Sequence, residues 1–142
     1  MYAYDAGTKA WWLWIRRGAT TTTDTAIGYY RASLFNSGGL GGASPHASTV
    51  DFGGEIIDDR SMHASHTGTD MGAGAYPATG YGYSAYHRNA VYRGADGAWR
   101  NAALTRDVDD SYCYDLAGPA LDSGGWNTYF YFGGPGNNVN CR

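Results

Sequence analysis

This chain has to build its core from aromatic rings, because aliphatic side chains are scarce. Leu, Ile, Val and Phe number 18 of 142 residues, about 13%, a proportion otherwise associated with disorder. Two features point to a folded chain instead. The formal net charge is only −3, and 13 Tyr with 5 Trp supply apolar area that the aliphatics do not. Each large ring can bury on the order of 150–250 Å². The 22 glycines are about twice ordinary usage, which suits short strands and many loops better than a helical bundle. The length is most simply one domain spanning residues 1–142, with room for a single core.

Charge and hydropathy narrow the partners. Lys9 is the one lysine, and the ten basic residues are scattered along the chain, leaving no basic footprint for nucleic acid. No apolar run approaches the roughly 20 residues that span a bilayer. Trp11 to Ile15 is far shorter, and no apolar signal-peptide segment with a cleavage site follows Met1. Neither nucleic-acid binding nor membrane insertion is expected.

The chain carries several strand signals. In Trp11–Ile15, Trp11, Leu13 and Ile15 fall on one face and Trp12, Trp14 and Arg16 on the other. Apolar residues on both faces predict a central strand or one in an interface, with a sugar-stacking tryptophan platform as the sharper alternative. Residues 19–25 read as an exposed edge strand or loop. Residues 26–35 are compatible with a second strand or a short helix, and Asn36–Gly42 reads as a flexible turn. Residues 44–80, poor in apolar side chains, read as a long irregular insertion with one or two short strands. Tyrosines then recur at 76, 81, 83, 86 and 92. Trp99–Leu104 starts a short helix or strand. Tyr112–Leu116 and Trp126–Phe132 both alternate and can pair as antiparallel strands, with Leu121–Gly125 in the connection.

Candidate chemistry is sparse. His63 and His66, near Asp58, Asp59 and Asp70, have the spacing of two imidazoles turned toward one ion, although no HExxH pattern is present. Asp107, Asp109, Asp110 and Asp115 are hard oxygen donors of the kind calcium takes, set against the plainer reading of a solvated acidic turn. No G-x-S-x-G occurs, so no nucleophile elbow is visible; paired carboxylates for glycoside hydrolysis stay open as an alternative, although Glu55 is the one glutamate. Cys113 and Cys141 are the only cysteines. Both lie close to aromatic strand candidates, and the reading adopted is that they pair; two buried thiols are the alternative.

The last half of the chain carries a set of short motifs. Pro77-Ala78-Thr79-Gly80-Tyr81 comes first, followed by Gly94-Ala95-Asp96-Gly97-Ala98-Trp99-Arg100-Asn101. Tyr112-Cys113-Tyr114-Asp115-Leu116 and the ending Asn137-Asn138-Val139-Asn140-Cys141-Arg142 complete the set. In these the segment resembles the Fibrobacter-succinogenes-type major paralogous domain and the C-type-lectin-like variable modules of phage tail proteins. Residues 1–75 match nothing in that pattern, and the final Cys-Arg reverses the family's order. The resemblance implies a C-type-lectin-like fold, α+β but mostly β and loop-rich. The alternative is an all-β glycine-rich fibre or filament domain.

These readings converge on a non-enzymatic recognition module of a phage tail fibre or bacterial surface protein, extracellular or on a virion surface. It would bind a cell-surface glycan or protein, as a homo-oligomer, without a cofactor unless calcium fills the aspartate cluster. Rival readings are a structural subunit of a homo-oligomeric fibre and a small metal-dependent hydrolase built on His63 and His66. The expected ligand face is Trp126, Asn127, Tyr129, Tyr131, Asn137, Asn138 and Asn140. Strand alternation places Asn127, Tyr129 and Tyr131 outward and Trp126, Thr128, Phe130 and Phe132 inward, so Trp126 is the member that geometry opposes. The glycine turn 133–136 would project the three C-terminal asparagines beside that face.

Overall fold

A computed structural model describes residues 1–15, 23–57 and 67–141. These residues group into two compact units, Met1–Asp51 and Phe52–Arg142. Among the described residues, no helix is long and apolar enough to cross a membrane.

The first unit is a three-stranded antiparallel sheet. Strand β1 (Tyr2–Asp5) and strand β3 (Thr25–Arg31) flank β2 (Ala10–Ile15). The tryptophan run is therefore the central strand its two apolar faces predict. Tyr4 and Trp11 are directly paired and their rings meet at 5.4 Å, while Trp12 stands opposite Tyr29 at 4.9 Å. Such cross-strand aromatic pairs are the main stabilising unit of a sheet with few aliphatics. Two indole N–H groups also find acceptors within the unit: Trp11 donates to the Leu40 carbonyl at 2.8 Å and Trp12 to Thr8 Oγ1 at 3.0 Å. The Asp5 carboxylate accepts the Gly7 N–H in the β1–β2 turn at 2.8 Å. That bond, with help from Thr8, holds its pKa below the ordinary value. Residues 26–31 settle as strand, and the chain then makes 3-10 turns at Ala32–Leu34 and Gly39–Gly41.

The second unit is built around strand β8 (Asn127–Gly133). It lies between β4 (Ala85–His87) and β7 (Asp115–Asp122), both antiparallel to it. The expected pairing of the two alternating segments is present, with Leu116 opposite Phe132 and Ala117 opposite Tyr131. It starts later than the sequence suggests, because Tyr112–Tyr114 is a turn held by the Asp110 carbonyl and carboxylate. It also runs further, to Asp122, with the register shifting at Gly118-Pro119, where proline has no N–H to offer the ladder. A hairpin of β5 (Val91–Arg93) and β6 (Trp99–Asn101) stands apart from this sheet. Asp96 in its turn takes two bonds from the Arg100 guanidinium. The arginine, and then the Ala98 N–H, bring its pKa down to about 2.

The expected α+β class is not what forms. The described helices are three 3-10 turns of three residues each, at Ala32–Leu34, Gly39–Gly41 and Pro77–Thr79, and none reaches seven residues. The protein is β-rich, with small sheets and long connections. The physical reason lies in the sequence: its alanine tracts, such as Ala102-Ala103-Leu104, are too short to carry the cost of helix nucleation. Glycines and aromatic residues break up what remains. Of the 44–80 stretch, the described parts hold no strand, only the Pro77–Thr79 turn and a single bridge from Met71 to Gly134.

The C-terminal segment is packed rather than projecting. Gly133, Gly134 and Gly136 are buried, and a Cβ on Gly134 would overlap the Cys113 carbonyl. Cys113 and Cys141 are fully buried and joined as a disulfide, with Cα atoms 4.8 Å apart. Closing a loop of 28 residues is worth about 3–4 kcal/mol in the chain-entropy account. The double substitution Cys113→Ser/Cys141→Ser should lower the unfolding free energy by about that amount. Thiol titration of the denatured, unreduced protein should find no free thiol. Two reactive thiols per chain would contradict the pairing.

Candidate functional site

The site grows out of the alternation along β8. Thr128, Phe130 and Phe132 point to one face, where Thr128 and Phe130 are buried. Tyr129 and Tyr131 point to the other. On the first face, His87 from β4 stacks on Phe132 at 5.3 Å and meets Phe130 at 5.1 Å. The segment from Phe52 lies here too: Phe52 packs edge-on to His87, and His87 Nε2 is 3.4 Å from the Gly53 carbonyl oxygen. A side chain at Gly54 would press into Phe132 and Met71, so only glycine lets the backbone come this close. Glu55 follows at once and is exposed.

The second face carries an aromatic basin of about 300 Å³, lined by Tyr81, Asp122, Trp126, Tyr129 and Tyr131. Three of its ring pairs stand at steep angles, while Trp126 and Tyr131 meet at 6.4 Å and 48°. Trp126 and Tyr129 meet at 5.5 Å and 83°, Tyr129 and Tyr131 at 6.0 Å and 82°, Tyr81 and Trp126 at 5.2 Å and 71°. Tyr86 from β4 stacks on Trp126 at 5.3 Å, and the Arg88 guanidinium lies 5.5 Å from the Trp126 ring centroid. The Asp122 carboxylate accepts the Trp126 N–H at 3.2 Å, which fixes the turn between β7 and β8.

Three of the expected ligand-face residues, Trp126, Tyr129 and Tyr131, come together in this basin. Trp126 lies in the turn before β8, between Gly125 (φ +105°) and Asn127 (φ +54°), so the period-two alternation of the strand does not set its direction, and its ring joins the tyrosine face. Asn127 itself is tied down, donating to Asn89 Oδ1 at 2.7 Å. The C-terminal asparagines do not line the basin. Asn138 is a brace: its amide donates to the Tyr76 hydroxyl and to the Tyr112 and Gly136 carbonyls, and its oxygen accepts from the Asn140 and Cys141 N–H groups. Asn137 and Asn140 are exposed. The expected projecting turn fails because Gly133–Gly136 is used for close packing.

Sequence reasoning missed Tyr81, Tyr86, Arg88 and Asp122. The recurring tyrosines were the available signal for the first two. Nothing in the sequence marks Asp122, which reads there as part of the 121–125 connection.

Of the four aspartates expected to take calcium, Asp107 and Asp109 are exposed and the other two have partners. Asp115 pairs with Arg106, and Asp110 Oδ1 accepts the Tyr112 N–H at 2.9 Å. Among the described residues, the group of three potential ligands that converges is Asp110 with Cys113 and Cys141, and those sulfurs are joined to each other. A disulfide sulfur is not the thiolate a metal takes. His63, His66, Asp58 and Asp59 lie outside the described residues, so the histidine cluster has no structural account.

No solved structure matches the chain. A family model does, and it takes in the N-terminal half that the C-terminal motifs left without a relative. The Neprosin model matches residues 1–135, and the chain belongs to the Neprosin family.

Proposed function

We propose that the chain is a peptidase-type domain that hydrolyses peptide bonds. The observation that carries this reading is the Neprosin match across residues 1–135, the family being prolyl-endopeptidase-like. It runs against the non-enzymatic module expected from the sequence. The residue we assign as general acid–base is Glu55. It is the one glutamate of the chain, and it is exposed beside a glycine pair laid onto the His87–Phe132 stack. A carboxylate there would take a proton from water as the water oxygen attacks the scissile carbonyl. It would then return that proton to the amide nitrogen as the C–N bond breaks. The disulfide fits an oxidising compartment such as the extracellular space.

Proline-containing and proline-free peptides read by mass spectrometry would test this directly. The full chain should cleave, and Glu55→Gln should lower kcat/KM by at least about 100-fold, the scale of general acid–base catalysis, with the melting temperature unchanged. Cleavage that survives in Glu55→Gln would remove Glu55 from the chemistry. A pure protein that cleaves none of these peptides would count against the peptidase reading.

A second reading is favoured by the basin itself: a recognition surface for a cell-surface glycan or protein, centred on Trp126, Tyr129 and Tyr131. Rigid phenols and indoles give large contact area at low entropic cost. The expected result is that Tyr129→Ala with Tyr131→Ala abolishes binding on glycan arrays or cells while the melt shifts little. If fold and binding are lost together at every dose of denaturant, the tyrosines are structural.

A further inference from the structure

We propose that His87 is the positioning residue for Glu55: its ring and its Nε2–H together fix the backbone of residues 52–54, which leads into the carboxylate. The proposal rests on the reading of the chain as a peptidase with Glu55 as acid–base, and it adds the residue that holds that group in place.

The need for a clamp comes from the backbone. Residues 54–57 lie in no strand or turn. Among the described residues, no backbone-to-backbone hydrogen bond reaches residues 52–57. A carboxylate on such a segment samples many positions, whereas acid–base catalysis needs it within hydrogen-bond reach of the water it deprotonates. Side chains from elsewhere in the unit have to hold it.

His87 is placed to do so. It stands opposite Phe130 in the β4–β8 pairing, and its ring lies at 18° to that of Phe132 and at 34° to that of Phe130. Two such neighbours lock the direction in which the imidazole points. Phe52 crosses the same ring at 73°, and Nε2 is left 3.4 Å from the Gly53 carbonyl oxygen. A carbonyl only accepts, so Nε2 carries the proton, in the neutral ring and in the charged one alike. Gly54 completes the grip, because without a side chain its backbone lies against Phe132 and Met71. Three consecutive residues are thus held by one stack of rings, and Glu55 is the next along the chain. Packing alone would be served as well by phenylalanine; the donor aimed at Gly53 is what sets this histidine apart.

Two substitutions in the full chain separate ring from donor. His87→Phe keeps the stack and loses the donor, while His87→Gln loses the stack and keeps an amide N–H at similar reach. On the peptides that the wild type cleaves, His87→Phe should lower kcat by about 10- to 100-fold, the scale of a misplaced catalytic group. Its KM and melting temperature should stay unchanged, as expected when only the transition state loses an interaction. His87→Gln should melt lower yet keep more of kcat than His87→Phe does. Backbone nitrogen relaxation should show residues 53–55 more mobile in His87→Phe than in the wild type, with residues 130–132 unaltered. A histidine that only packs would give the opposite order, kcat following the melting temperature in both variants. That order, wild-type kcat in His87→Phe, or unaltered relaxation at 53–55 overturns the positioning role and leaves Glu55 as the acid–base. If the wild-type chain cleaves no peptide, the peptidase reading falls and takes this role with it.

Discussion

The second unit depends on strand β8 having two unlike faces. On one, Phe130 and Phe132 pack on His87, which Phe52 meets edge-on, and Thr128 is buried with its hydroxyl donating to the Ala102 carbonyl. On the other, Tyr129 and Tyr131 stay half exposed and gather Tyr81, Tyr86 and Trp126. A one-residue slip would exchange the faces and bury phenols without partners. Ring pairs worth about 0.5–1.5 kcal/mol each beyond their burial then do for this unit what aliphatic packing does in most domains.

With so little aliphatic core, the strand needs anchoring at both ends. At its C-terminal end, buried Gly133, Gly134 and Gly136 let the chain press against Met71, Cys113 and Thr67, and the disulfide and the Asn138 brace close over them. At its N-terminal end, Asn127 takes the left-handed conformation and bonds Asn89, and Asp122 holds the Trp126 N–H. The same anchors that stabilise the strand therefore shape the basin at its start. Structure and candidate site are coupled through a few backbone-directed polar contacts.

Period-two alternation made much of this readable in advance. The central position of Trp11–Ile15 and the two faces of β8 follow from it, while of the 112–116 segment only Asp115 and Leu116 pair with β8, Tyr112–Tyr114 being a turn. The cysteine pair was legible because the chain offers only two. What escaped depends on backbone conformation or on distant partners. The turn at 123–126, not the strand, holds Trp126 and leaves its ring on the tyrosine face, and close approach at Gly133–Gly136 turned an expected projecting loop into a packed one. Asp122 gained its meaning only from the turn it closes. The α+β expectation came with a resemblance confined to short C-terminal motifs, while the chain's own composition argued for strands.

The central claim is that Trp126, in the turn before β8, joins the tyrosine face of that strand. Proton NOEs from the Trp126 indole ring test it most directly. The account predicts cross-peaks to the rings of Tyr86 and Tyr129 and none to Phe130 or Phe132. Strong cross-peaks from Trp126 to Phe130 or Phe132 would place the indole in the core and contradict it.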